Sequence, residues 1–236
     1  MTETEWSRFF GGPQRILVNA THREVHYRGL AADLLPLLGE PAGGVVLDFG
    51  CGEADAAPAF AAAGLSMLLF DAAEPIRRRL AERFAATPNL GVLSPDECRG
   101  LPPSSLDHVL LVSVAQYLPR AVLSDLLGRW WSQLKPGGDV ILCDLVPPDL
   151  GMWPDLSALL GTAWRNGFLL AAVRGLVWTA FSDYSRLRGT IGLTHYSAEE
   201  AGGLLASHGF IAERLPRNPG INPSRLAFRG RKPAAG

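Results

Sequence analysis

Short apolar runs closed by Gly, Pro or Asp alternate along this chain with longer stretches of helical spacing. That rhythm is what a parallel sheet with crossover helices leaves in a sequence. Strands are predicted at Gly44 to Phe49 (GVVLDF), Leu65 to Phe70 (LSMLLF), Leu90 to Leu93, Leu106 to Val112 (LDHVLLV) and Asp139 to Leu145. The intervening helices are Ala54 to Ala63, stopped by Gly64; Glu74 to Ala85, with Pro75 in its first turn where a missing N–H costs nothing; and Pro119 to Leu134. Lys135-Pro136-Gly137-Gly138 reads as the tight turn into the fifth strand. Ser197 before Glu199 and Glu200 is a helix N-cap, and that helix ends near His208-Gly209. Phe210 to Leu215 and Arg225 to Arg229 close the chain as an antiparallel pair.

This order leaves Pro147 to His195 between the fifth strand and the last helix, far above the usual connection length. The stretch is rich in Trp, Leu and Ala, including Trp153, Trp164, Phe168, Trp178 and Phe181. We expect helices packed over the carboxyl ends of the strands as a lid, with a dimer interface or an interfacial membrane patch as the alternatives. Phe168 to Phe181 falls short of a membrane span and carries Arg174.

Composition narrows the function further. The 236 residues, 47% hydrophobic, suit one domain with a large core. With 22 basic and 23 acidic residues the net charge is -1, so no field draws in nucleic acid. Cys51, Cys98 and Cys143 make neither a disulfide framework nor a metal motif, and the N-terminus lacks the basic start of a signal peptide; both point to the cytoplasm. No His/Asp cluster has metal-ligand spacing, so no metal site is expected.

The chemistry is concentrated at Asp48-Phe49-Gly50-Cys51-Gly52-Glu53-Ala54, a strand running into a glycine turn and a helix, which is how doubly wound folds build a cofactor crevice. A dinucleotide site needs GxGxxG, but the third glycine position is Asp55, whose carboxylate would repel a pyrophosphate. Asp48, just before the first glycine, suits a cationic amino group instead. Asp71 ends the second strand, where an acid can accept both hydroxyls of a ribose. An adenosine bearing an ammonium group and no phosphate describes S-adenosylmethionine (SAM).

Over roughly Ala42 to Leu145 the sequence resembles the class I SAM-dependent methyltransferases of the small-molecule type. Asp48 to Gly52 matches the family's first motif, Asp71 its ribose-binding acid, Leu106 to Leu118 its fourth-strand motif, and Leu134 to Gly138 its LKPGG turn. The resemblance implies a Rossmann-like doubly wound α/β fold, with a seven-stranded sheet, mostly parallel, and an antiparallel C-terminal strand. Residues 1–236 then form one domain, with an N-terminal helical segment at 1–40 and the helical lid at 147–195. It also implies a cofactor site of Asp48, Gly50, Cys51 (through its backbone), Gly52, Asp71 and Ala72, with Asp96 on the adenine amine. Ala54 departs from the family's last glycine.

Ser113 and Gln116, just past the fourth strand, belong where the transferred methyl meets the acceptor. Tyr117, Trp153 and Asn222 are candidate acceptor contacts, and His195 with Tyr196 a candidate base and orienting pair. His26, Tyr27, Arg28 and Arg23 lie on an N-terminal helix as a solvated face or a cover, while Asn218 and Arg225 share the last loop with Asn222. The expected reaction is in-line methyl transfer from SAM to a small apolar acceptor, oxygen slightly favoured over nitrogen or carbon, by a monomer or homodimer. A protein or RNA methyltransferase and a non-catalytic SAM-fold protein docking through the insertion are the alternatives.

Overall fold

The computed structural model describes residues 20–39, 43–149, 193–220 and 222–234, with side chains described from Tyr27 onward. The chain enters on helix α1 (Ala20–Leu34) and a 3-10 turn (Leu35–Leu38). It then alternates β1 (Val45–Phe49), α2 (Ala57–Ala62), β2 (Ser66–Phe70), α3 (Glu74–Phe84), β3 (Leu90–Val92), α4 (Pro95–Arg99) and β4 (Leu106–Val112). A 3-10 turn (Ala115–Tyr117), α5 (Arg120–Gln133), β5 (Leu134–Leu145), α6 (Ala198–Ser207), β6 (Ile211–Arg214) and β7 (Leu226–Arg231) complete it.

The seven strands form one sheet in the order β3-β2-β1-β4-β5-β7-β6. Every pairing from β3 to β5 is parallel, and β7 runs antiparallel to both β5 and β6. The strand order reverses between β1 and β4, so the cleft of a doubly wound sheet opens at the carboxyl ends of these two strands.

Alternation within each strand explains why both faces are covered. Val46, Leu110 and Ile141 pack with Leu34, Phe60, Ile76 and Leu80 on one face. Their neighbours Leu47, Leu111, Val140 and Leu142 pack with Leu127, Trp130 and Leu205 on the other. A parallel sheet buried on both sides reads as apolar runs without alternation, and Val45–Leu47 of β1, Val109–Val112 of β4 and Val140–Cys143 of β5 do.

Two expectations are corrected. The predicted helix at Ala54 begins only at Ala57, because Ala54 sits in the left-handed region (φ 50°) and cannot open a right-handed helix. Lys135 to Gly138 does not precede β5 but bulges within it: Leu106 pairs with Leu134, then His108 with Asp139. Gly137 takes φ 84° in this bulge, and a Cβ at Gly138 would come within 2.7 Å of the Asp107 carbonyl. Lys135 binds the Asp107 carboxylate at 2.8 and 2.9 Å, tying the bulge to β4 at the end of the sheet opposite the cleft.

The N-terminal helical segment is represented by α1, and the proposed lid, with Trp153, Trp164, Phe168, Trp178 and Phe181, lies outside the described residues except at its two ends. Among the described residues no helix is long and apolar enough to cross a membrane.

Candidate active site

Three acids stand at the carboxyl ends of parallel strands: Asp71 after β2, Asp48 in the adjacent β1, and Asp144 in β5, one strand beyond β4. Asp71 is buried and organises the glycine turn. One of its carboxylate oxygens accepts the Gly52 N–H at 3.1 Å and the other the Ala73 N–H at 2.9 Å. Burial pushes its pKa up, opposed by these two N–H donors and by the Arg77 charge. Arg77 in turn donates to the carbonyls of Asp71 and Ala72 at 2.7 and 2.8 Å, which locks the loop after β2.

The turn itself needs glycine. Gly50 has φ 80° and Gly52 φ 54°, and the N–H groups of Gly50 and Cys51 both donate to the Phe70 carbonyl, at 2.7 and 3.0 Å. The Cys51 thiol is pushed well above its ordinary value, first by burial and then by Asp48 and Asp71, so it stays protonated and is no nucleophile at neutral pH.

Asp48 is in register with Leu69 of β2 and Leu110 of β4. Burial, reinforced by the Asp71 charge, raises its pKa to about 7. Among the described residues its carboxylate has neither a hydrogen-bond donor nor a cation against it, so a cationic ligand would relieve its desolvation.

Past β4, Ser113 donates its hydroxyl to the Asp144 carboxylate. The Gln116 amide donates to the Ser113 carbonyl at 3.2 Å and accepts from Arg225 at 2.9 Å. These two bonds fix the Gln116 carboxamide at the edge of the cleft and leave its second N–H for a ligand. Tyr117, half-buried on the same 3-10 turn, bonds through its N–H to the Val114 carbonyl.

The far end of the insertion returns to this edge. His195 bridges to Val146, Thr194 N–H donates to the Gln116 carbonyl, and Arg120 donates to the His195 carbonyl at 2.6 Å. The His195 Nδ1 lies 3.2 Å from the Pro147 carbonyl. A carbonyl only accepts, so Nδ1 is the donor of this contact and Nε2 is the ring nitrogen it leaves unused. Tyr196 does not join it: only 1% exposed, it packs among the apolar residues of the α5 face under the Arg120 guanidinium, 4.9 Å from the ring centroid.

Asp96 stands on α4 with its carboxylate in solvent, paired with Arg99 on the same helix. Its neighbour Glu97 is the N3 member of a capping box with Ser94. Asn222 accepts the Ser224 N–H on its side chain and the Asn218 amide on its carbonyl, a turn-forming role. Tyr27 packs against the core, Arg28 is exposed, and His26 and Arg23 lie on α1 without described side chains; Trp153 lies outside the described residues.

Asp144 was not anticipated. Its signal was available: like Asp48 and Asp71 it is an acid closing an apolar run at a strand's carboxyl end. Three non-glycine residues at this edge adopt left-handed backbone, namely Ala54 (φ 50°), Ser113 (φ 60°) and Asp144 (φ 62°). A fourth, Ser104, lies in the loop before β4. Such backbone costs on the order of 1–3 kcal/mol per residue and clusters at functional sites.

Comparison with known proteins agrees with this geometry. Residues 46–138 match a family model described as a methyltransferase domain. No curated protein sequence matches the chain. Among solved structures, the 1,6-didemethyltoxoflavin-N1-methyltransferase of Burkholderia thailandensis, with bound 1,6-didemethyltoxoflavin and S-adenosylhomocysteine, aligns with a TM-score of 0.61. The alignment is 17% identical over 98% of this chain and 87% of that one. Magnesium protoporphyrin IX methyltransferase from Synechocystis, with bound S-adenosylhomocysteine, aligns at 0.58, with 17% identity over 97% and 93%. A SAM-dependent methyltransferase from Aquifex aeolicus aligns at 0.54, with 15% identity over 98% and 97%. These likenesses are of fold.

Proposed function

We propose that this chain, whose residues 46–138 match a methyltransferase-domain model on a doubly wound sheet, transfers the methyl group of SAM to a small apolar acceptor, oxygen slightly favoured over nitrogen or carbon. The observation that carries the cofactor is the pairing of two acids across one glycine turn: Asp71 holding the Gly52 N–H, and Asp48 unpartnered beside it. Asp48 would hold the ammonium of the methionyl end and Asp71 the ribose hydroxyls, with Gly50, Cys51, Gly52 and Ala72 giving backbone contact. Asp96 would meet the adenine amine by exchanging its exposed pairing with Arg99, which is worth little in solvent.

Bound there, SAM supplies a methyl group already activated on a sulfonium, so the protein's task is orientation and exclusion of water. Ser113 and Gln116 would lie beside the cofactor's methyl end in this reading, Tyr117 and Asn222 would border the acceptor, and Trp153, outside the described residues, is the further acceptor contact we propose. His195 Nε2 takes the proton of an acceptor that must lose one. Replacing His195 with Gln should leave SAM affinity unchanged and slow turnover of acceptors that must lose a proton, while acceptors that need no deprotonation react at the wild-type rate; equal rates for both kinds remove His195 from the reaction.

The direct test is isothermal titration with SAM, S-adenosylhomocysteine and NAD. Micromolar binding of the first two alone is expected; NAD binding with no SAM binding overturns the reading. Turnover with tritiated SAM and a panel of phenols and aromatic amines then separates an enzyme from a protein that only binds the cofactor.

Affinity should also depend on pH with a definite sign. With the Asp48 pKa raised to about 7 by burial and the Asp71 charge, the free protein favours the protonated acid, so its stability falls as pH rises through that value. A bound ammonium favours the ionised acid. The rise in melting temperature given by saturating SAM should therefore be larger at pH 8 than at pH 6; the opposite order would place the ammonium elsewhere.

A further inference from the structure

Resting on the cofactor reading above, strand order says what lies beyond the cofactor. The sheet runs β2, β1, β4, β5. The ribose acid stands at the end of β2 and the ammonium acid in β1, so the sulfonium and the acceptor fall over β4 and β5, each about 4.8 Å further along. At that place the protein holds a carboxylate that the reaction as described leaves unused.

Asp144 follows directly on the Val112–Cys143 pairing, so it stands beside Ser113 across the β4–β5 boundary. Both are in left-handed backbone, an arrangement that turns two adjacent side chains out of the normal alternation of their strands. The carboxylate is then fixed from two sides: the Ser113 hydroxyl donates to one oxygen and the Asn218 amide to the other. Asn218, only 3% exposed, also accepts the Asp144 N–H at 2.8 Å, and its amide reaches the Asn222 carbonyl at 3.1 Å. The β6–β7 loop is thereby clasped to the end of β5. Asp33 of α1 holds the same loop, accepting from the Gly220 N–H at 3.0 Å and from Arg217.

Asp144 is half-buried, and among the described residues no lysine, arginine or histidine pairs with it. Its stabilisation is neutral donors only. A structural carboxylate in such a position is ordinarily given a cation; an aligned, strained and uncompensated one is built for a ligand that brings its own donor. We infer that Asp144 is the acceptor-anchoring carboxylate of this site, and that the acceptor presents to it a hydrogen-bond donor, an amine or a hydroxyl, beside the transferred methyl. Ser113 and Asn218 are its positioning residues. An acceptor whose reacting end is a carboxylate or a phosphate is disfavoured by the same charge.

The test needs no identified acceptor. Sinefungin carries a protonated amine on the carbon that replaces the methylsulfonium of SAM, so it sets a donor at the place in question; S-adenosylhomocysteine has none. By titration calorimetry the wild-type protein should bind sinefungin about tenfold more tightly than S-adenosylhomocysteine, the scale of one charge-assisted hydrogen bond. Asp144→Asn should abolish that preference while the affinity for S-adenosylhomocysteine stays within about twofold, and Asp144→Glu should restore part of it. Equal binding of the two ligands by the wild type overturns the inference even if the variants fail to fold. So does a preference that survives Asp144→Asn, or a parallel loss of both ligands, which makes Asp144 a scaffold residue. Binding of neither ligand by the wild type overturns the cofactor reading itself.

Discussion

Replacing Asp71 with alanine weakens SAM binding by roughly 10²- to 10⁴-fold, measured by titration calorimetry, with the sheet still folded by circular dichroism. Two functions are lost together. The first is the hold on the turn: Gly52 N–H and Ala73 N–H both donate to this one carboxylate, and alanine leaves both without it. The second is the anionic acceptor for the ribose hydroxyls, and hydrogen bonds to a charged group are worth about 1.5–3 kcal/mol each, so losing two gives the range stated. Asp71→Asn is not a rescue, because an amide has one oxygen where the turn requires two acceptors, and its NH₂ would face an N–H. Near-normal affinity in Asp71→Ala would remove this residue from the cofactor site.

Why some of this was legible in the sequence and some was not has a physical basis. The sheet was legible because the central stretches of β1, β4 and β5 are buried on both faces and apolar without alternation, while Pro75 and the Ser197–Glu200 capping box mark helix starts chemically. The glycine turn was legible because positive φ leaves a residue-type signature at Gly50 and Gly52. Ser94 and Glu97 carry the same capping-box spacing, so Glu97 was legible as a helix-opening acid, whereas Asp96 beside it has no part in that cap.

Tyr196 was not legible as a buried residue. Its position one residue from a cleft-edge histidine says nothing about side, and only the Val146–His195 bridge fixes that alternate residues turn opposite ways. Ser113 was legible by its place past the fourth strand, and Asp144 could have been read as an acid closing an apolar run; the left-handed backbone at both was not legible, because the clasp from Asn218, far along the chain, is what holds Asp144 there. The bulge at Lys135–Gly138 was legible as a turn but not as an interruption of β5, since the strand resumes pairing with β4 only through a register jump.

Gly50→Val removes SAM binding altogether and lowers the melting temperature, whereas the same change at a glycine facing open space, such as Gly203, leaves binding untouched. At Gly50 two costs coincide. The backbone has φ 80°, a conformation that costs an L-residue about 1–2 kcal/mol, and more when it is β-branched. A Cβ there would also lie 2.5 Å from Val114 Cγ2, and valine is stiff at χ1, so the contact is relieved only by shifting the 113–114 backbone or the turn itself. Overpacking of this kind adds about 1–3 kcal/mol, so the total is on the order of 2–5 kcal/mol, or roughly 4–20 °C in a chain of this size. Ala54, at φ 50°, shows that the edge tolerates one Cβ in left-handed backbone where space allows; at Gly50 there is none. The displacement would be transmitted to both halves of the site at once, because Gly50 and Cys51 share the Phe70 carbonyl on the cofactor side and Val114 follows Ser113 on the acceptor side. A Gly50→Val protein that still binds SAM in the micromolar range would show that the turn and the fourth strand are not coupled in this way.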